Sequence, residues 1–218
     1  MRFDYDTILN RKASLEELPE LPDAEVEGWA VKQAAFLKNK GFDDRNPRLF
    51  NAVARYFGRW RAAQTNDGES RPRYRKPPKG LFLLGNPGTG KSSSMQIFSW
   101  RFGVEWFTAS DFAKTYSIAG EAGFWDMASG YDKMDIIIDE LGGERDLKHF
   151  GNEGIMPEFL TARYDKFKHN GAYTFATSNL SEEVFRKLYG ERVWSRINEM
   201  CYKVTVAGED RRLEKGAK

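Results

Sequence analysis

The stretch Gly85-Asn86-Pro87-Gly88-Thr89-Gly90-Lys91-Ser92 restricts the fold of this chain more than any other segment. It meets every position of the pattern GxxxxGK[ST]. An apolar run at 81–84 precedes it, and a stretch of helical character at 92–102 follows it. Strand, glycine loop and helix in that order build a cradle for phosphate. Glycines let backbone N–H groups approach a polyphosphate, and the helix N-terminus adds a positive partial charge. Lys91 is expected to reach the outer phosphates. The Ser92 hydroxyl is expected to ligate a bound Mg2+, and Ser93 beside it is expected among the nucleotide-binding residues.

The remaining sequence fits this core. At 218 residues the chain suits one domain of ordinary size with a short extension, and its hydrophobic content of 40% is enough for a core. The formal net charge of +2 does not announce nucleic acid, but the charges are unevenly placed. Residues 1–40 hold six Lys/Arg and eight Asp/Glu, whereas residues 41–79 hold ten and four. Cys201 is the one cysteine, which rules out an intrachain disulfide and any zinc site built on two or more cysteines. His149 and His169 are expected at the surface. Neither a signal peptide nor a membrane span is evident, so the expected location is cytoplasmic.

Prolines 19 and 22 punctuate an irregular start. A helix is expected over 23–40, with acids in its first turn and lysines in its last. A second is expected over 46–64, burying Leu49, Val53, Phe57 and Trp60 and setting Arg48, Arg55 and Arg59 on another face. Together these suggest a helical partner-binding region at 1–64 and a basic linker at 65–79, ahead of a catalytic domain at 80–218. Within that domain, strands are expected near 81–84, 104–107, 134–138, 173–177 and 201–206. Their alternation with helices argues an α/β fold with a mainly parallel five-stranded sheet flanked by helices.

Two strand ends carry chemistry. Asp135-Ile136-Ile137-Ile138-Asp139-Glu140 reads as a buried central strand that delivers carboxylates to the C-terminal edge of the sheet. Asp139 is expected to hold Mg2+ and Glu140 to polarise the water that attacks the γ-phosphate. Thr174-Phe175-Ala176-Thr177-Ser178-Asn179 ends a second strand, and Asn179 is a candidate partner for that water or for the γ-phosphate. Further on, Arg192 and Arg196 lie four apart on an expected helix and can share a face. An arginine that enters a neighbouring subunit's site is worth roughly 10³–10⁵ in rate in GTPases.

These pieces, in this order, resemble the AAA+ ATPases of the initiator and helicase-loader group, and most of all the DnaC/IstB family. The resemblance spans residues 79–212. It likens Gly85 to Ser92 to the family's phosphate loop, Ile138-Asp139-Glu140-Leu141-Gly142 to its second motif, and Thr177-Ser178-Asn179-Leu180 to its sensor strand end. It places the arginine finger at Arg196, and through Gly208-Glu209-Asp210-Arg211-Arg212 it suggests Arg212, less so Arg211, as a second phosphate sensor. It gives Arg163 no role. The resemblance implies an AAA+-type fold without a C-terminal helical lid, binding ATP with Mg2+ between subunits of a spiral or ring. It also implies a segment at 110–131 facing DNA, which here offers Lys114, Tyr116, Phe124 and Trp125; the aromatics are candidates to stack on bases, or else are core.

Loaders of this family engage a replicative DNA helicase and single-stranded DNA, so the resemblance implies delivery of a helicase during replication. Helix 23–40 is the candidate docking element. Arg48, Arg55 and Arg59, with Arg71, Arg73, Arg75 and Lys76, are candidates for DNA backbone contact. The alternatives are an IstB-like helper of a transposase on duplex DNA, a phosphate-loop kinase acting on a small metabolite, and an ATP-gated scaffold with negligible turnover.

Overall fold

The computed structural model describes residues 47–62, 79–146, 155–208 and 210. The expected helix over 23–40, the basic residues at 71–76, His149, Arg211 and Arg212 lie outside the described residues. The elements in chain order are α1 (Pro47–Ala62), β1 (Gly80–Gly85), α2 (Lys91–Phe102), β2 (Glu105–Thr108), α3 (Ala109–Ser129) and β3 (Ile136–Leu141). A 3-10 turn (Gly143–Asp146) follows, then α4 (Ile155–Asn170), β4 (Thr174–Ser178), α5 (Glu182–Tyr189), α6 (Glu191–Met200) and β5 (Cys201–Val206).

The chain divides into two compact units. One holds α1 and α2 from Ser93 onward. Aromatic rings join these two helices. Phe57 stacks on Phe98 with centroids 4.6 Å apart and planes 2° from parallel. Trp60 meets Phe102 edge-on at 5.8 Å. Leu49, Val53, Phe57 and Trp60 are all buried, as the helical spacing predicts.

The other unit holds the sheet. Its five strands are all parallel, in the order β2-β3-β4-β1-β5. Parallel strands need crossovers, which the intervening helices supply. Burial is nearly continuous along β1, β3 and β4, the mark of a sheet covered on both faces. Phe82, Leu84, Ile136, Ile138 and Ala176 project to one side, as their period of two dictates. There they join Phe112 and Phe124 of α3, Phe159 and Leu160 of α4, and Phe185, Trp194 and Ile197 of α5 and α6 in one core.

Three local features refine the sequence expectations. β3 begins at Ile136, two residues later than expected, and runs on through Leu141. Asp135 is instead held outside the strand, where its carboxylate accepts from the Tyr173 N–H at 2.6 Å. α3 starts with a capping box between Thr108 and Asp111 and bends at Gly120 (φ 67°). Phe124 is fully buried among Phe112, Trp125 and Phe159, so it belongs to the core and cannot stack on a base. Tyr116 packs edge-on against Phe124, Trp125 is partly buried, and Lys114 is exposed beside Asp111.

Arg163 of α4 is 2% exposed. Its guanidinium donates to the carbonyls of Tyr131 (2.6 Å), Met134 (2.9 Å) and Tyr173 (2.8 Å) and to the Thr174 hydroxyl (3.0 Å). These groups sit at the N-terminal ends of β3 and β4, so Arg163 clamps that edge of the sheet. Cys201, at the start of β5, is buried with its thiol donating to the Thr174 carbonyl at 3.2 Å, and burial pushes its pKa up to about 12. His169 is exposed on α4.

Candidate phosphate-loop site

The C-terminal ends of β1, β3 and β4 lie side by side because the strands are parallel, with β4 between the other two. The loop from Gly85 to Ser92 leaves β1 and winds into α2 through glycines at positive φ, 70° at Gly88 and 91° at Gly90. Gly88 is fixed for a second reason. A Cβ there would overlap the Asp210 carboxylate, so a side chain has no room.

Lys91 is 3% exposed and turned back into this loop. Its ammonium donates to the carbonyls of Gly85 (2.8 Å) and Asn86 (2.7 Å), and lies 3.4 Å from the Thr89 hydroxyl. The Thr89 hydroxyl donates to the Asn86 carbonyl at 3.0 Å, closing the turn. The Asn86 amide donates to the carbonyl of Gly208 at 3.1 Å, tying the loop to the segment after β5. Pro87 is exposed, and Ser92 and Ser93 are partly buried at the head of the helix.

Across the sheet edge, Asp139 is 6% exposed. Burial raises its pKa. Hydrogen bonds from Thr177 and Ser92 act in the opposite direction, and the neighbouring Glu140 charge adds to the rise. The Ser92 hydroxyl therefore lies near the Asp139 carboxylate, which sets the phosphate loop beside the end of β3. Glu140 is exposed and has φ 57°, the one positive value at a non-glycine among the described residues. Left-handed backbone at such a residue costs roughly 1–3 kcal/mol and concentrates at functional sites. Asn179 is exposed immediately past β4.

Among the described residues no group of three or more His, Cys, Asp and Glu could hold a metal. Mg2+ does not need one, because it keeps several waters and takes only one or two protein ligands beside substrate phosphates. The hydroxyl–carboxylate pair Ser92–Asp139 fits that demand.

Arg196 lies elsewhere. It projects from α6 onto α4, donating to the Thr161 hydroxyl at 2.7 Å with its guanidinium 5.4 Å from the centre of the Tyr164 ring. The structure therefore gathers Lys91, Ser92, Asp139 and Glu140 at one edge, sets Asn179 at the end of the strand between them, and seats Arg196 apart. Arg192 is exposed near the start of α6. The sequence reading passed over Thr177, whose hydroxyl donates to Asp139 at 2.5 Å and accepts from the Glu140 N–H at 3.0 Å. Its place one turn of the pleat before Asn179 was the available signal.

The fold is similar to that of the replication initiator DnaA bound to AMPPCP and single-stranded DNA. Identity is 14% and the TM-score 0.51, over 78% of this chain and 49% of that one. The chain thus spans about half the length of that structure. It is also similar to the DnaC helicase loader, at 19% identity and TM-score 0.46 over 77% of this chain and 94% of that one. For DnaI the values are 17% and 0.47, over 95% and 93%. At these identities the likeness is one of fold alone: a parallel α/β sheet flanked by helices. No protein-family model matches the chain, and no curated protein matches it. No helix among the described residues is long and apolar enough to cross a membrane.

Proposed function

We propose that this chain is an ATPase of the DnaC/IstB group that acts in DNA replication by delivering a replicative helicase to single-stranded DNA. The observation that carries the ATPase part is the nearness of Ser92 to the buried Asp139 at the end of a complete phosphate loop, with Glu140 held exposed and strained beside it. A small-molecule kinase needs an acceptor site. A strained carboxylate next to the cation ligand instead suits activation of water.

In this reading Lys91 exchanges its loop carbonyls for phosphate oxygens, and the N–H groups at the start of α2 hold the rest of the polyphosphate. Ser92 and Asp139 are the residues that would hold Mg2+, which when bound offsets negative charge on the β- and γ-phosphates. Glu140 orients the attacking water and accepts its proton. Asn179 holds that water or the γ-phosphate. Arg196 acts on the site of a neighbouring copy, which agrees with its seat on α4 away from its own phosphate loop. Arg212 is proposed as a second contact to phosphate.

DnaA, to which the fold is similar, is described bound to AMPPCP and single-stranded DNA. That supports the nucleotide and the replication setting proposed here. Assembly into a spiral or ring and the helicase as client rest on the motif resemblance, as do the transposase and duplex DNA of the alternative.

The test is ATP hydrolysis with single-stranded DNA, with duplex DNA and without DNA, for the wild type and Glu140→Gln. Hydrolysis that Glu140→Gln abolishes while nucleotide stays bound supports the ATPase. Phosphoryl transfer to a small acceptor without DNA stimulation would replace it with a kinase. A replicative helicase retained by ATP-bound Glu140→Gln supports the loader, whereas a retained transposase moves the chain to the transposition branch. Arg196→Ala should bind ATP without turnover and regain activity when mixed with Lys91→Ala. Failure in a mixture shown to co-assemble removes the finger.

A further inference from the structure

We infer that Thr177 is a positioning residue for hydrolysis, holding Asp139 and Glu140 in their working arrangement through one hydroxyl; this rests on the ATPase reading above. The register between β3 and β4 pairs Ile138 with Ala176 and then Leu141 with Ser178. β3 takes three steps while β4 takes two, so Asp139 and Glu140 together face the single residue Thr177. That is the geometry of a β-bulge, which re-aims side chains and removes a backbone group from the ladder. A buried N–H displaced in this way needs another acceptor.

Thr177 supplies it. Its Oγ1 accepts from the Glu140 N–H at 3.0 Å and donates to Asp139 Oδ1 at 2.5 Å. One buried oxygen therefore satisfies the displaced amide of the water-activating residue and fixes the carboxylate of the cation ligand. A hydroxyl is the smallest group able to do both, because it is donor and acceptor at once. The next residue secures the far side of the bulge. Ser178 Oγ donates to the Leu141 carbonyl at 2.6 Å and accepts from the Leu180 N–H at 3.2 Å. The strained φ of 57° at Glu140 is thus held from both ends by side chains of β4. Thr177 is 1% exposed, so its action passes through Asp139 and Glu140. β4 runs between the strand of the phosphate loop and the strand of the acids, which sets this hydroxyl against the acids on the side that faces the loop.

Thr177→Val keeps the shape and removes both hydrogen bonds, whereas Thr177→Ser keeps both. ATP affinity is measured by fluorescent-nucleotide titration, and kcat and KM by phosphate release, in the full chain beside the wild type. Thr177→Val is expected to hold nucleotide within about threefold while kcat falls by about 100-fold, the scale of a misplaced reacting group. Thr177→Ser should restore kcat to within about threefold of the wild type. Unchanged kcat in Thr177→Val overturns the inference. So does an equal loss in Thr177→Val and Thr177→Ser, which would mark a packing role.

If the wild type hydrolyses no ATP, the ATPase reading fails by itself, and the clamp is then read by hydrogen exchange at the Glu140 amide. That exchange should quicken at least about tenfold in Thr177→Val and stay slow in Thr177→Ser. Equal protection in all three removes the clamp. Thr177→Ala replaces the valine variant should valine prevent folding.

Discussion

At the N-terminal edge of the sheet, Arg163 donates to three carbonyls and a hydroxyl that belong to the ends of β3 and β4 and the turn before β3. At the C-terminal edge, Lys91 donates to two carbonyls of its own glycine loop. Both cations are buried and both rest on backbone oxygen. Burial lowers the Arg163 pKa to about 10, against the pull of Asp135 and Asp132, so it stays charged at neutral pH and permanently committed. In the proposed function the acceptors of Lys91 belong to a loop that an incoming anion would share. On that reading a buried cation is structural or functional according to whether its acceptors can be replaced, and the two edges of one sheet pair the two cases.

Arg163→Ala is the strongest way to break this contrast. It removes a donor from four acceptors, two of them in buried hydrogen bonds, and should cost about 3–5 kcal/mol in urea melts. Arg163→Lys should recover little, because an ammonium cannot span the fork. Lys91→Ala should leave the melt within about 1 kcal/mol of the wild type yet weaken ATP binding at least about 100-fold in titrations; a collapse of stability instead would make the two cations alike. Glu140→Gly sharpens the contrast from the strain side. Glycine accepts φ 57° freely, so stability should rise by about 1 kcal/mol while turnover is lost.

The smallest effect concerns charge. Burial raises the Asp139 pKa, so the folded chain holds that proton more tightly than the unfolded chain, and the ionised form costs stability at neutral pH. Asp139→Asn should raise Tm by about 1–3 °C in metal-free buffer near neutrality. The gain should fade as pH falls and Asp139 itself becomes neutral. A lower Tm at neutral pH would show that its hydrogen bonds outweigh its burial.

The order of strands and helices was legible because each strand of this sheet is a short apolar run and each turn is marked by glycine, proline or acid. The phosphate loop was legible for a stricter reason, since its glycines and lysine have no substitutes. Legibility failed where a residue's meaning depends on a partner distant in sequence. Thr177 looks like an ordinary strand residue until β4 lies against a bulged β3. Arg163 looks like a helix-surface charge until three carbonyls from 131 to 173 converge on it. Phe124 read equally as a base-stacking ring or as core, and only the packing of α3 against α4 decides for core. The two-residue delay of β3 follows from Asp135 serving Tyr173, a contact that no local pattern contains.

The seclusion of Cys201 makes the protein its own blank for thiol chemistry. The only sulfhydryl in the sequence is buried, hydrogen-bonded and held protonated far above neutral pH. Maleimide dyes should therefore ignore the native chain and mark it only when β5 leaves the sheet, so labelling rate becomes a clock for opening. A cysteine placed at exposed Ser195, one residue from Arg196, would carry the sole fluorophore, and the approach of a second copy could be watched without first mutating Cys201.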